Sequence, residues 1–232
     1  MINRSITIDT TEIITDLCNI SSKYRSDKCP YVTNPYLESN CVHPYTGIYD
    51  GLFKHMRNKT INIAEIGIAY NDSINIWREY FPFAKIYGFD INQNYIISAK
   101  NEKLLNTNYE IMDVCNDTSI DYAFKKNNVK YDIIIDDSTH YGEDQIRIIK
   151  KSVNYLKNNG ILVIEDINRI QDEKDYLIKF KSNEIYPYFL SATFIKTEHN
   201  KRKFGSIVDY PYYNDKLLIL IRNDNKKFIE YK

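Results

Sequence analysis

Short apolar segments alternate with amphipathic segments along most of this chain. INIAEI (61–66) is followed by SINIWREYF (73–81), whose apolar residues have helical spacing, then by KIYGFD (85–90) and NYIISAKNEKLL (94–105). Short apolar runs indicate strands buried on both faces, whereas a period of 3.6 residues indicates helices. The order of these segments predicts two consecutive strand–helix units.

The alternation continues through the middle of the chain. NYEIM (108–112), YDIII (131–135) and GILVI (160–164) predict three more strands, and helices are expected near 118–127 and 142–157. Five short strands joined by helices predict a parallel sheet that is covered on both faces and wound with right-handed crossovers.

The pattern changes near the end of the chain. After a polar helix expected near 171–181, FLSATFI (189–195) and KLLILI (216–221) follow without a helical pattern between them. Two adjacent strands of this kind predict an antiparallel pair that closes the sheet. The predicted fold class is therefore α/β, with a seven-stranded, mostly parallel sheet and an antiparallel C-terminal strand pair.

Residues 1–60 lack this alternation, although one helix is expected around 46–57. We interpret this segment as an N-terminal cap on the substrate side. Residues 61–232 are then the main domain.

Composition and charge exclude several classes of function. The chain has 31 basic and 31 acidic residues and no basic stripe, so nucleic acid is not expected as the main partner. No stretch approaches the roughly 18 apolar residues of a membrane span, and the N-terminus lacks the apolar core of a signal peptide. The four cysteines form no C-x-x-C pair, which is typical of a reduced protein. We therefore expect a cytoplasmic protein without a membrane span.

Acidic residues follow all five predicted parallel strands. They are Glu65, Asp90, Asp113, Asp136 with Asp137, and Glu165 with Asp166. Ligands of open parallel sheets bind outside these strand ends, so the set indicates a ligand with hydroxyl and amino groups, a cation, or both. A single one of these acids could instead cap a helix, but that explanation accounts poorly for the whole set.

The loop EIGIAYNDS after the first of these strands narrows the choice of ligand. A dinucleotide fingerprint needs three glycines, and only Gly67 is present. The loop of S-adenosylmethionine (SAM) dependent methyltransferases has the pattern acid-x-G-x-G-x-G, which Glu65, Gly67, Ala69 and Asn71 match with two substitutions. Asp90 follows Gly67 by 23 residues, the separation expected of an acid that binds two ribose hydroxyls.

Three stretches in sequence order carry a resemblance to a known family: EIGIAYNDSINIWREYFPFAKIYGFDI (65–91), YDIIIDDSTH (131–140) and GILVIEDI (160–167). They resemble the class I SAM-dependent O-methyltransferases that act on sugar hydroxyls of macrolides and related glycosides. The upstream segment (24–53), with its Ser-Asp-Lys, His-x-Tyr and later Tyr, is also similar to that group. The likeness covers roughly residues 21–170, and the chain has DDSTH where relatives have Asp-Asp-Gly-Ser-His.

The resemblance implies a Rossmann-like class I methyltransferase fold, SAM as methyl donor, Mg²⁺ as a second cofactor and a sugar-containing acceptor. It implies Asp137, Glu165 and Asp166 as metal ligands. The chemistry of these residues agrees, because Mg²⁺ prefers hard oxygen ligands. His140, three residues after Asp137, is the expected general base, since imidazole titrates near neutral pH.

The remaining predicted site residues surround SAM. They are Glu65, Gly67, Ala69, Ser73, Asp90, Asp113 and Asp136. Asp90 is expected on the ribose and Asp113 near the adenine. Ser73 could be a helix N-cap, a contact to the SAM carboxylate, or both. Asp136 could instead satisfy loop amides, because consecutive strand residues point to opposite sides.

Other interpretations stay open at this point. A nucleotide-binding (NAD-type) oxidoreductase and a catalytically inactive binding module could use the same kind of sheet. Tyr49, Tyr212 and His43 are weaker candidates for the pocket, whereas Trp77 is expected to pack the first helix onto the sheet. The sequence leaves open both the acceptor, which could be a glycan, a nucleotide sugar or a glycosylated small molecule, and the oligomeric state, a homo-oligomer included.

Overall fold

The computed structural model describes residues 1–24, 26–29, 43–167, 172–198 and 216–223. The strands in these ranges are β1 (Ile2–Asp9), β2 (Asn62–Ile66), β3 (Lys85–Asp90), β4 (Thr107–Ile111), β5 (Tyr131–Asp136), β6 (Leu156–Ile164), β7 (Phe189–Glu198) and β8 (Lys216–Arg222). The α-helices are α1 (Asp16–Ser21), α2 (Thr46–Phe53), α3 (Asp72–Tyr80), α4 (Gln93–Asn101), α5 (Asp117–Lys126), α6 (Gly142–Ser152) and α7 (Glu173–Ser182). Short 3₁₀ turns cover Lys54–Met56 and Tyr186–Tyr188.

The strands form one eight-stranded sheet in the order β1-β7-β8-β6-β5-β2-β3-β4. Strand β8 runs antiparallel to both of its neighbours, and all other pairs are parallel. This confirms the predicted α/β fold with a mostly parallel sheet and an antiparallel C-terminal pair, with one strand more than expected. The chain order reverses around β2, so the ligand crevice is expected at the carboxyl ends of β2, β3 and β5.

The additional strand is β1, which pairs in parallel with β7 at the edge of the sheet. Its sequence INRSITID has Ile2, Ile6 and Ile8 on one face, which is only a weak alternation, and seven of its eight residues are exposed. Backbone pairing with β7 therefore holds β1 in place, and a local sequence pattern does not reveal such pairing.

Both faces of the sheet are covered by apolar side chains. In β5, Tyr131 and Ile134 pack on one face, whereas Ile133 and Ile135 pack on the other. Helices α1 and α2 from the N-terminal segment contribute to the second of these cores, together with Trp77 of α3. Burial on both faces leaves the strand ends as the exposed functional edge.

Each predicted helix is present, although the residues at which it begins and ends differ from the prediction. Helix α6 stops at Ser152 rather than near 157, because β6 already begins at Leu156 with an irregular register opposite Tyr131. Helix α7 begins after Asp172, whose side chain accepts hydrogen bonds from the amides of Lys174 and Asp175.

None of the helices among the described residues has the length and apolar character needed to cross a membrane.

Candidate active site

Gly67 begins the loop between β2 and α3 with a φ of +88°. A Cβ atom at this position would lie 2.2 Å from the carbonyl oxygen of Asp137, so only glycine fits. The amide of Gly67 donates to Phe89 O at 2.8 Å, and the amide of Asp137 donates to Ile66 O at 2.9 Å. These contacts hold the loops after β2 and β5 directly against each other.

Asp90 fixes the rest of this loop. Its Oδ2 accepts a hydrogen bond from the amide of Ala69 at 3.0 Å, and its Oδ1 accepts one from the amide of Asn92 at 2.8 Å. Ala69 and Asn71, which stand where the methyltransferase pattern has glycine, both have positive φ, at 41° and 72°. The loop therefore keeps a glycine-like backbone at these two positions without glycine, and the Asp90 carboxylate accepts a hydrogen bond from it, while its role at the ribose stays a prediction.

Glu65 lies inside the protein rather than at the surface of the crevice. Its side chain is fully buried, and Trp77 Nε1 donates to its Oε2 at 2.7 Å. Burial raises the pKa of Glu65 to about 7, while Lys28 acts in the opposite direction. Ser73 is the second residue of α3 and Asn71 is the N-cap, so of the two roles left open for Ser73 capping does not apply, and the contact to the SAM carboxylate stays a prediction.

Asp113 and Asp136 both engage their own loops. Asp113 Oδ1 accepts from the amide of Cys115 at 2.9 Å, next to α5. Asp136 is 1% exposed and its Oδ1 accepts from the hydroxyl of Ser138 at 2.6 Å. Burial raises the pKa of Asp136 to about 7. Asp136 therefore has partners different from those of Asp137, as expected for consecutive residues at a strand end.

Three of the predicted catalytic and metal-binding residues converge beyond β5 and β6. Ligand atoms of Asp137, His140 and Asp166 all lie within 4.8 Å of one another. His140 Nε2 is 3.9 Å from Asp137 Oδ1 and 3.9 Å from Asp166 Oδ2. His140 and Asp166 adopt positive φ values of 58° and 51°, a conformation that costs roughly 1–3 kcal/mol for such residues.

Glu165, the third predicted metal ligand, lies beside this group with partners of its own. Its Oε1 accepts a hydrogen bond from the hydroxyl of Tyr49 at 2.5 Å, and its Oε2 accepts one from Lys28 Nζ at 2.7 Å. Burial raises the pKa of Glu165 well above its usual value, and raises that of Asp137 to about 6. Desolvation is the largest cause at both carboxyls, and the Lys28 ammonium acts against it.

Residues of the N-terminal segment complete the site. Lys28 Nζ also donates to Asp137 Oδ2. The hydroxyl of Tyr45 donates to Asp166 Oδ1 at 2.6 Å, and His43 Nε2 lies 3.6 Å from Asp166 Oδ2. Sequence reasoning assigned no role to Lys28 or Tyr45, although both belong to upstream motifs that resemble the family. The Tyr45–Tyr49 spacing at the start of a helix was a further signal, because residues four apart share one face.

Tyr49 and His43, which were weaker predictions, thus lie next to Glu165 and Asp166. Trp77 packs against Tyr49, Phe53 and Phe81, which confirms its expected structural role. Tyr212 lies outside the residues that the structure describes.

The chain is similar in sequence to known O-methyltransferases. L-olivosyl-oleandolide 3-O-methyltransferase of Streptomyces antibioticus is 26% identical over 164 residues, which cover 68% of this chain and 38% of that protein. 8-Demethyl-8-(2-methoxy-alpha-L-rhamnosyl)-tetracenomycin-C 3'-O-methyltransferase of Streptomyces olivaceus is 25% identical over 159 residues, with 66% and 37% covered. The chain thus spans a little over a third of the length of these curated relatives.

A solved structure shows the same fold. MycE methyltransferase from the mycinamycin biosynthetic pathway, in complex with Mg, SAH and mycinamycin VI, aligns with a TM-score of 0.64 at 19% identity. The alignment covers 94% of this chain and 57% of MycE. Residues 65–210, more than half of the 232-residue chain, match the family model described as a methyltransferase domain. This chain therefore belongs to the methyltransferase-domain family.

Proposed function

We propose that this protein is a SAM-dependent O-methyltransferase that methylates a sugar hydroxyl of a glycan, nucleotide sugar or glycosylated small molecule. The observation that carries the proposal is the convergence of Asp137, His140 and Asp166 next to the loop of Gly67. Two carboxylates and an imidazole suit a reaction in which a hydroxyl must be oriented and deprotonated. The olivosyl and rhamnosyl groups in the names of the relatives support a sugar-containing acceptor.

In this proposal SAM lies across the carboxyl ends of β2 and β3. Asp90 accepts hydrogen bonds from the ribose hydroxyls, because its two oxygens have lone pairs beyond those used by the amides of Ala69 and Asn92. The loop of Gly67 and Ala69 and the first turn of α3, with Ser73, face the methionine portion. Asp113 lies towards the adenine, while Glu65 and Asp136 support the cofactor loops from inside.

The donor set near β5 and β6 fits a Mg²⁺ ion. Asp137 and Asp166, with Glu165 beside them, offer hard carboxylate oxygens. Lys28 supplies a single positive charge to this group. The raised pKa values of Asp137 and Glu165 reflect burial among like charges, which a divalent cation would relieve. When bound, Mg²⁺ would hold two neighbouring sugar oxygens and lower the pKa of the reacting hydroxyl.

His140 is the proposed general base. Its Nε2 faces Asp137 and Asp166 at 3.9 Å each, so an acceptor hydroxyl placed against these carboxylates comes within reach of the imidazole. As the hydroxyl oxygen bonds to the methyl carbon, the carbon–sulfur bond of SAM breaks. The sulfonium becomes a neutral thioether, and the hydroxyl proton passes to Nε2 of His140.

Calorimetric titration of the purified protein with SAM and, separately, with NAD tests the cofactor assignment. We expect micromolar SAM binding, about −8 kcal/mol, and no NAD binding. Transfer of a labelled methyl group from SAM to a panel of glycosides, with and without Mg²⁺, then tests the reaction. Tight NAD binding without SAM binding would instead favour an oxidoreductase, whereas SAM binding without transfer to any glycoside would favour a binding module.

A further inference from the structure

Lys28 carries a buried ammonium group into the acidic site. The residue is 3% exposed, and its Nζ donates to Glu165 Oε2 at 2.7 Å and to Asp137 Oδ2. The side chain thus places its ammonium between two of the proposed metal ligands and serves as their cation.

The backbone around Lys28 holds this ammonium in place. Lys28 O accepts hydrogen bonds from the amides of Tyr45 at 3.2 Å and Thr46 at 3.1 Å, at the start of α2. The amide of Lys28 donates to Ser26 Oγ at 3.3 Å. The segment is thus tied to the helix that also carries Tyr49, and the ammonium enters the site from a fixed direction.

Glu165 has both of its oxygens engaged, one by Tyr49 and the other by Lys28. A divalent cation at Glu165 would share an oxygen with one of these donors. If the cation and the Lys28 ammonium contact the same Glu165 oxygen, two positive charges lie close together, and their repulsion is strong in a buried site. A cation that binds Oδ2 of Asp137 meets the same conflict, whereas Oδ1 of Asp137 faces His140.

Glu65 offers the ammonium another acceptor. Its Oε1 is 3.8 Å from Lys28 Nζ, and Glu65 is fully buried. Trp77 donates to Oε2, and the Ser73 side chain also acts on the Glu65 carboxyl, but among the described residues no donor reaches Oε1 with hydrogen-bond geometry. A buried carboxylate oxygen without a donor favours any movement that brings one to it.

We propose that Lys28 is a positioning residue that competes with the divalent cation for Asp137 and Glu165, and that Glu65 accepts its ammonium when the cation binds. This inference rests on the metal site of the proposed function. When no metal is bound, the Lys28 ammonium holds the carboxylates of Asp137 and Glu165 together. When the metal binds, the ammonium has to be displaced, which lowers the affinity of the site for the metal.

Calorimetric titration with MgCl₂ tests this role in the parent protein, in Lys28→Met and in Lys23→Met. The control Lys23 is an exposed lysine on the same segment that pairs with Glu79. Lys28→Met should bind Mg²⁺ about tenfold more tightly or better, because a competing charge has gone, whereas Lys23→Met should match the parent. SAM affinity in each variant checks that the fold is retained. Unchanged or weaker Mg²⁺ binding in a folded Lys28→Met would overturn the proposal.

The role of Glu65 is tested by a double-mutant cycle. Glu65→Gln should weaken Mg²⁺ binding in the parent, and by clearly less in the Lys28→Met background, where no ammonium needs the acceptor. Equal losses in both backgrounds would show that Glu65 acts on the metal directly and would overturn its role as acceptor.

Lys28→Met leaves buried acids without their cation and could fail to fold, so a second measurement uses the parent chain. Its buried ammonium can be followed by ¹⁵N-lysine magnetic resonance and assigned with Lys28→Arg. We expect the Lys28 signal to shift on saturation with Mg²⁺, and an unchanged signal would overturn the proposal. If both the parent and Lys28→Met bind SAM but neither binds Mg²⁺, the metal site itself is refuted.

Discussion

Replacing the buried Asp136 by asparagine should change how stability depends on pH. Burial raises the pKa of Asp136 from 3.8 to about 7. The folded state therefore holds a proton that the unfolded state has lost between these values, so stability falls as pH rises through this range and is lowest above pH 7. At 1.36 kcal/mol per unit, the full shift corresponds to about 4 kcal/mol, and about 2.5 kcal/mol of it falls between pH 5 and 8.

Asparagine does not titrate, so its contribution to the free energy of unfolding does not change with pH. Its oxygen can accept the hydrogen bond that Ser138 donates to Asp136 Oδ1 at 2.6 Å. The NH₂ group of asparagine would take the place of Oδ2, which has no hydrogen-bond partner among the described residues. Burying this group without a partner should lower the free energy of unfolding by about 1–3 kcal/mol at every pH. From pH 5 to pH 8 the free energy of unfolding of Asp136→Asn should therefore rise by about 2.5 kcal/mol relative to that of the parent.

Urea unfolding at pH 5, 6, 7 and 8, in the presence of a chelator, measures this difference. Taking the difference at each pH cancels the acids that do not interact with Asp136, while Asp137 and Asp144, which raise its pKa, contribute to the measured difference together with it. Asp16→Asn, at an exposed position that pairs with Arg57 at 2.6 Å, controls for buffer effects. A difference that stays constant within about 0.5 kcal/mol across this range would refute the reasoning.

Four further predictions concern the proposed activity. Asp90→Ala should weaken SAM binding tenfold or more, about 1.4 kcal/mol, in calorimetry; equal affinity would reject the ribose contact. EDTA should abolish methyl transfer while calorimetry still detects SAM binding, and activity that survives chelation would reject the metal assignment. His140→Ala should keep SAM and Mg²⁺ binding but lose about 10² to 10⁴ in rate; near-parent rates would make His140 a packing residue. Gly67→Ala should lower the thermal midpoint and SAM affinity, because its Cβ would lie 2.2 Å from Asp137 O at a φ of +88°; an unchanged midpoint would contradict the close approach of the two loops.

The sequence alone determined the main sheet and the loops that end its strands. Apolar runs such as YDIII are local signals, because a strand buried on both faces needs apolar residues throughout its length. The spacing from Gly67 to Asp90 placed an acid under the first loop, since the geometry of consecutive strand–helix units is nearly fixed. For the same reason the positions of Asp137, His140 and Asp166 at neighbouring strand ends could be predicted.

The tertiary structure decided which partners each acid has. Lys28 meets Asp137 across 109 positions of sequence, and no periodic pattern encodes a contact of that range. The same applies to Tyr45 at Asp166 and to β1, which is held by pairing with β7 rather than by a buried face. The sequence could not show that Glu65, Asp136 and Glu165 are almost fully buried whereas Asp113 and Asp137 are only partly so, because composition records a carboxyl group but not its burial. Burial and long-range pairing set the charge of these groups, and both arise only when distant segments pack together.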